Sequence, residues 1–132
     1  MVIEDDPLAS LLIVSTLEKC AQMCPVPVRS SEEAIEYLAK AAGSGRAGPA
    51  AILCDLNLPG ASGLDLLRKR NGTPWRHTPF FVMSALTSKP TEAECRAAGA
   101  AGFIDKADFC AHTDDWINRI LASVTGAARV AA

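Results

Sequence analysis

Six side chains suited to charged-oxygen chemistry follow short apolar runs in this sequence. Glu4, Asp5 and Asp6 come directly after Met1, Val2 and Ile3, Asp55 ends the run 50–54, Ser84 ends the run 79–83, and Lys106 closely follows 101–104. Carboxylates gathered in one place repel each other, which makes ionising all of them costly unless a divalent cation is present. Hard carboxylate oxygens suit Mg²⁺, an ion that keeps several waters and takes one or two carboxylates together with a phosphate oxygen. A carboxylate can also attack phosphorus and form an aspartyl phosphate, provided the charge on the transferring oxygens is neutralised. In that chemistry Lys106 supplies a mobile positive charge for one oxygen. The Ser84 hydroxyl and nearby backbone N–H groups donate to another.

Taken singly, most of these residues have plainer readings. The acidic triplet could be a helix N-cap with favourable dipole charge, Ser84 a turn residue, and Lys106 a solvated surface charge. Asp55 is harder to dismiss, because an acid ending an apolar strand is costly to bury without a partner. The joint placement carries the argument, and it depends on the elements that would bring these residues together.

Short apolar runs alternate with helical stretches. A very short first strand ends in the acidic triplet. A first helix over 8–23 follows, with Pro7 at its first position and Asp6 as cap. Residues 25–29 form a second strand, Ser30 or Ser31 caps a helix over 32–42, and 43–49 is a Gly-rich loop. Then come a buried strand over 50–54, a helix over 64–70, a strand over 79–83, a helix over 91–98, a strand over 101–104 and a last helix over 114–124. Five β-α repeats favour a parallel sheet covered on both faces by right-handed crossovers. Such sheets bind ligands beyond the carboxyl ends of their strands. That edge is where the acidic triplet, Asp55, Ser84 and Lys106 fall. If Asp6 is occupied as the cap of the first helix, Asp5 and Asp55 are the direct Mg²⁺ ligands, with the Asn57 carbonyl completing the set and Glu4 reaching the ion through water.

The bulk properties exclude other classes. A chain of 132 residues with 49% hydrophobic residues suits one domain, taken as 1–125 with a small-residue tail over 126–132. Net charge is −2 with no basic cluster, which argues against direct nucleic-acid or membrane binding. No run is apolar enough to span a bilayer and no basic leader opens the chain, so a cytoplasmic location is expected. The five cysteines, odd in number and without a C-x-x-C pair, read as reduced thiols filling space, Cys54 beside Asp55 included. His77 and His112 read as surface residues, and Trp75 and Trp116 as packing, the latter with Ile117, Ile120 and Leu121.

The segments 2–6 (VIEDD), 52–60 (ILCDLNLPG) with Gly63, 81–85 (FVMSA) and 103–106 (FIDK) resemble, in order and spacing, a response-regulator receiver domain over nearly the whole chain. The resemblance implies a flavodoxin-like α/β fold, with a five-stranded parallel sheet of order 2-1-3-4-5 flanked by five helices. It implies Asp55 as phosphoacceptor, Glu4 and Asp5 as the acidic pair, Ser84 as switch hydroxyl, Lys106 as the family's lysine and Phe103 as switch aromatic. A histidine kinase or histidine phosphotransfer protein is the implied donor. A weaker resemblance, in the loop 43–49, the segment 55–59 and the lysine without a following proline, is to stand-alone receivers that partner phytochrome-type histidine kinases. It implies homodimers through the fourth helix, the fifth strand and the last helix.

Three features depart from the ordinary. Ala107 stands where most receivers have a proline, often in a cis peptide; a trans loop of different shape is expected, since a cis non-proline bond costs several kcal/mol. The short first strand suggests that Met1 is an artificial boundary or a late start, and the chain reads as either a stand-alone regulator or a fragment. On the first helix, Ser10, Ile13, Val14, Leu17, Ala21 and Cys24 make the face expected to pack on the sheet, whereas Leu8, Leu11 and Leu12 lie opposite, as a candidate docking patch for the phosphodonor. Two alternatives compete. A degenerate receiver acting as an interaction module would normally have lost one of the key residues, and all are present. An aspartate-nucleophile phosphohydrolase would carry a second Asp as general acid where this chain has Asn57, so the protein is expected not to be a turnover enzyme beyond self-phosphorylation and slow self-dephosphorylation.

Overall fold

Alternation of side chains along the strands decides which helices cover which face of the sheet. The computed structural model describes residues 1–21, 23–85 and 89–131, with the side chains of 20, 21, 89, 90 and 127–131 left out. Five strands, β1 (Val2–Ile3), β2 (Pro27–Val28), β3 (Ile52–Asp55), β4 (Phe80–Ser84) and β5 (Gly102–Asp105), form one parallel sheet of order β2-β1-β3-β4-β5. Ile3, Ile52, Cys54, Phe80, Val82 and Phe103 point to one face. There they meet Ala34 and Leu38 of α2 (Ser31–Gly43), Leu64, Leu66 and Leu67 of α3 (Gly63–Arg70) and Cys95 of α4 (Lys89–Ala97). Val2, Leu53, Phe81, Met83 and Ile104 point the other way, onto Ile13 and Leu17 of α1 (Pro7–Ala21), Phe109 of α5 (Lys106–Ala111) and Trp116, Ile117 and Ile120 of α6 (Thr113–Ala131). Burying both faces of a sheet of near-continuous Val, Ile, Leu and Phe is what a parallel α/β arrangement requires.

Most helix starts follow the capping chemistry expected of them. Asp6 accepts the Leu8 N–H at 3.0 Å and opens α1 at Pro7. Of the two serines considered for α2, Ser30 is the cap, accepting from the Glu33 N–H at 3.1 Å. Ser31 is buried inside the helix and donates to the Ala61 carbonyl. Ser62 and Asp65 form a reciprocal capping box on α3. At the other end of α3, the buried Arg70 guanidinium donates to the carbonyls of Thr78 and Gly99, tying the helix to the loops that enter β4 and β5.

The strand order is the expected one, but among the described residues six helices flank the sheet rather than five. The additional helix is α5, and its cause is local. Ala107 keeps the N–H that a proline would lack, and Asp105 accepts it, so a helical turn begins at Lys106 itself. Among the described residues no peptide bond is cis. The last helix also runs on to Ala131, past the expected end at 124. In α1, Ile13 and Leu17 are buried and Ser10 and Val14 half-buried, but the helix ends at Ala21, before Cys24. Trp116, Ile117 and Ile120 pack together, while Leu121 stays 41% exposed. Trp75 packs on the core, and both histidines are exposed. Cys24, Cys54, Cys95 and Cys110 are free thiols; the side chain of Cys20 lies outside the described set.

Candidate functional site

The strands β1, β3, β4 and β5 end along one edge, and the residues at or just after their ends form the site. Asp55 closes β3 opposite Met83, with only 5% of its surface exposed. The chain then turns sharply: the Leu56 N–H donates to the Met83 carbonyl, the Gly63 N–H donates to the Leu56 carbonyl, and Gly60 adopts φ +81°, a conformation glycine reaches without strain. Gly63 is needed for a second reason. A Cβ there would lie 2.4 Å from the Asp55 carbonyl oxygen, so only glycine lets the start of α3 press against the backbone of Asp55. The Asn57 N–H donates to Asp55 Oδ1 at 3.2 Å and orients the carboxylate.

Glu4 leaves β1 almost fully buried, at 1% exposure. Its Oε1 accepts the Asp6 N–H, and its Oε2 lies 2.6 Å from Lys106 Nζ, an ion pair without aligned hydrogen-bond geometry. The same ammonium is 3.2 Å from Asp55 Oδ2, so Lys106 bridges the ends of β1 and β3 from its place beyond β5. Asp5 is exposed, and ligand oxygens of Glu4, Asp5 and Asp55 all lie within 4.8 Å of one another. Asp6, occupied by α1, is outside that cluster. Ser84 ends β4 beside Asp105 of β5, and Phe103 is buried with Leu64, Leu66 and Leu67.

The electrostatics follow from this crowding. Burial pushes the Glu4 carboxyl above its ordinary range, and the Asp55 charge adds to the push, against the pull of Lys106 and the Asp6 N–H. For Lys106, burial opposes the charged form, but Glu4 and Asp55 outweigh it and hold the ammonium above its ordinary value. The Cys54 thiol is pushed far up, by burial first and by the charges of Asp55 and Glu4, so it stays protonated and is packing rather than chemistry. Three carboxylates share one ammonium, and one of the three, Asp5, is open to solvent. A hard divalent cation fits that donor set.

A model of the response regulator receiver domain matches residues 1–111. The chain belongs to that family. Two-component response regulator ARR7 of Arabidopsis thaliana is 29% identical over 108 residues, which cover 77% of this chain and 52% of that protein. The receiver described here thus spans about half the length of that relative. Among solved structures, a sensor protein from Polaromonas sp. JS666 superposes with a TM-score of 0.78 at 24% identity, covering 96% of this chain and 95% of that one. A phosphorylated cyanobacterial phytochrome response regulator, RcpA, gives a TM-score of 0.68 at 25% identity over 79% of this chain and 76% of that one. The structure brings Asp55, Glu4, Asp5 and Lys106 together, with Ser84 at the neighbouring strand end.

Asp105, which the residue pattern does not single out, caps α5; its only signal in the sequence is an Asp two residues before an N–H that a proline would lack.

Proposed function

We propose that this receiver accepts a phosphoryl group on Asp55 from a histidine kinase or histidine phosphotransfer protein of a two-component or phosphorelay pathway in the cytoplasm, and signals by altering the face it offers to partners. The observation that carries the reading is the Asp55 carboxylate, held 3.2 Å from the Lys106 ammonium beside two further carboxylates. An Asp55 oxygen attacks the phosphorus of the donor's phosphohistidine, the P–N bond breaks, and the imidazole nitrogen leaves with the bonding pair. Lys106 offsets charge on one equatorial oxygen, and the Ser84 hydroxyl donates to another. Asp5, Asp55 and the Asn57 carbonyl would hold Mg²⁺, with Glu4 acting through water; when bound, the ion supplies further charge neutralisation at the phosphoryl oxygens. Movement of Ser84 towards the phosphoryl group frees space for Phe103 to turn inward, which couples the site to the face of α4, β5 and α6, the proposed homodimer surface.

Asn57 offers no general acid or base, which argues against a phosphohydrolase. The complete residue set argues against a degenerate interaction module. Acetyl phosphate or phosphoramidate with Mg²⁺, followed by intact mass, tests the reading: a gain of one phosphoryl group that disappears in Asp55→Asn is expected. No gain, or a gain that persists in the variant, defeats it. Light scattering before and after phosphorylation checks the dimer.

Leu8, Leu11 and Leu12 are 77%, 63% and 53% exposed at the end of α1 nearest Asp55, and they form the proposed docking patch for the donor. The likeness to a phytochrome response regulator favours a phytochrome-type kinase as that donor. Leu12→Arg should slow transfer from the cognate kinase and leave small-molecule phosphodonors unaffected; equal rates in both assays remove the patch from the account.

A further inference from the structure

Lys106 faces a demanding task. Its Nζ must reach across two strands to Glu4 and Asp55, and a long, flexible side chain does this only if its backbone is fixed. A proline after the lysine would fix that backbone by its ring, but Ala107 has no such constraint. What the chain has instead is a cap. Asp105 takes an extended conformation at the end of β5, hydrogen-bonded into the ladder beside Ser84. Its Oδ1 accepts the N–H of Ala107 at 2.8 Å and of Asp108 at 3.4 Å. Lys106 thereby becomes the first residue of α5. The far side of the helix is anchored twice, by Phe109 in the core and by Asp108, whose Oδ2 accepts the indole N–H of Trp116 at 2.7 Å.

We infer that Asp105 is the positioning residue for Lys106. The inference rests on the phosphoacceptor reading for its consequence but not for its geometry. Asp105 has no place among the carboxylates gathered round Asp55, and its oxygen is engaged with backbone N–H groups. It acts through the lysine, by holding the turn from which the ammonium projects. In this receiver a hydrogen-bonded side chain takes over what a ring provides elsewhere. Such a support is breakable without cutting the chain's path.

Two measurements decide it. In the free protein, the Lys106 ammonium should give a ¹H–¹⁵N signal slowed in exchange by its ion pairs, assigned by its disappearance in Lys106→Ala. That signal should be lost in Asp105→Ala and retained in Asp105→Asn, which is an equally good cap. In the second measurement, Mg²⁺-dependent phosphorylation by phosphoramidate should fall in Asp105→Ala by roughly fivefold, the factor that one lost helix cap corresponds to. Asp105→Asn should recover most of the rate, and Asp105→Ala should add nothing in a Lys106→Ala background. An equal loss in both backgrounds would mean that Asp105 serves general stability, and an unchanged Lys106 signal in Asp105→Ala would mean that the lysine is positioned without it. Either result overturns the inference. If Asp105→Ala does not fold, Asp105→Glu keeps the charge on a side chain outside the capping set, and the same comparison is made in both backgrounds. Should the wild-type protein take no phosphoryl group, the function reading fails, while the ammonium signal still decides the role of Asp105.

Discussion

Asp55 and Lys106 stand side by side in space, yet the loops that carry them are held by different means. The loop after β3 is held by backbone: a glycine at positive φ, two main-chain hydrogen bonds, and a glycine whose missing Cβ lets α3 touch the Asp55 carbonyl. After β5 the loop is held by side chains: the Asp105 carboxylate, the Asp108–Trp116 bond and the buried Phe109 ring. Backbone contact at close range leaves almost no tolerance, because a packed neighbour cannot move aside. Side-chain caps are each worth about 1 kcal/mol and can be exchanged for others. Asp55 thus sits on a rigid support, and its cationic partner on one whose parts can be exchanged.

The largest effect expected from breaking this contrast is at Gly63. Gly63→Ala places a methyl group 2.4 Å from the Asp55 carbonyl oxygen and 3.1 Å from both the Asp55 carbonyl carbon and Leu56 Cα. All three are backbone atoms, so the strain has to be relieved by shifting the loop that carries Asp55. A loss of about 2 kcal/mol is expected from such overpacking. The urea midpoint should fall, and the phosphorylation rate should fall with it. A variant that keeps the wild-type midpoint would show that the loop after β3 is as adjustable as its counterpart.

Ser62→Ala is the intermediate case. It removes the cap of α3, one residue before Gly63, and should cost about 1 kcal/mol of stability. Because Asp55 is held by backbone rather than by this cap, phosphorylation of the folded variant by a small donor should continue at the wild-type rate. A fall in rate as large as that in Asp105→Ala would erase the distinction between the two loops.

The same distinction explains what could be read from the sequence. Gly63 was legible because a close backbone approach admits only glycine, and Asp55 and the acidic triplet because they stand at the carboxyl ends of apolar runs. The strands were legible because strands with two buried faces read as apolar runs, and their order came with the resemblance to receivers. The helix after Lys106 was not legible. A cap can be built from several polar residues at several offsets, so Asp105 gives no unique pattern, and the Asp108 to Trp116 bond depends on two helices meeting in space. The end of α6 differs for a related reason: the small residues after 124 read as a tail from composition alone, and composition is a weak guide where the helix simply continues.

The smallest effect belongs to the outer anchor of α5. The Asp108 carboxyl is held below its ordinary range, chiefly by the Trp116 indole N–H and then by His112, whose Nδ1 lies 2.8 Å from Oδ1. A carboxyl whose folded value lies below its unfolded value contributes stability that is fully present above the unfolded value, near 4, and is lost as pH falls through the folded one. The pair is exposed, so salt screens it and little global stability is at stake. The local readout is sharper. The Trp116 indole ¹H–¹⁵N resonance should shift with a midpoint below that of an ordinary aspartate, and the step should be absent in Asp108→Asn, while the Trp75 resonance stays still. If the Trp116 resonance does not move until the whole protein unfolds, the indole bond is not what ties α5 to α6, and Phe109 alone anchors the helix that starts at Lys106.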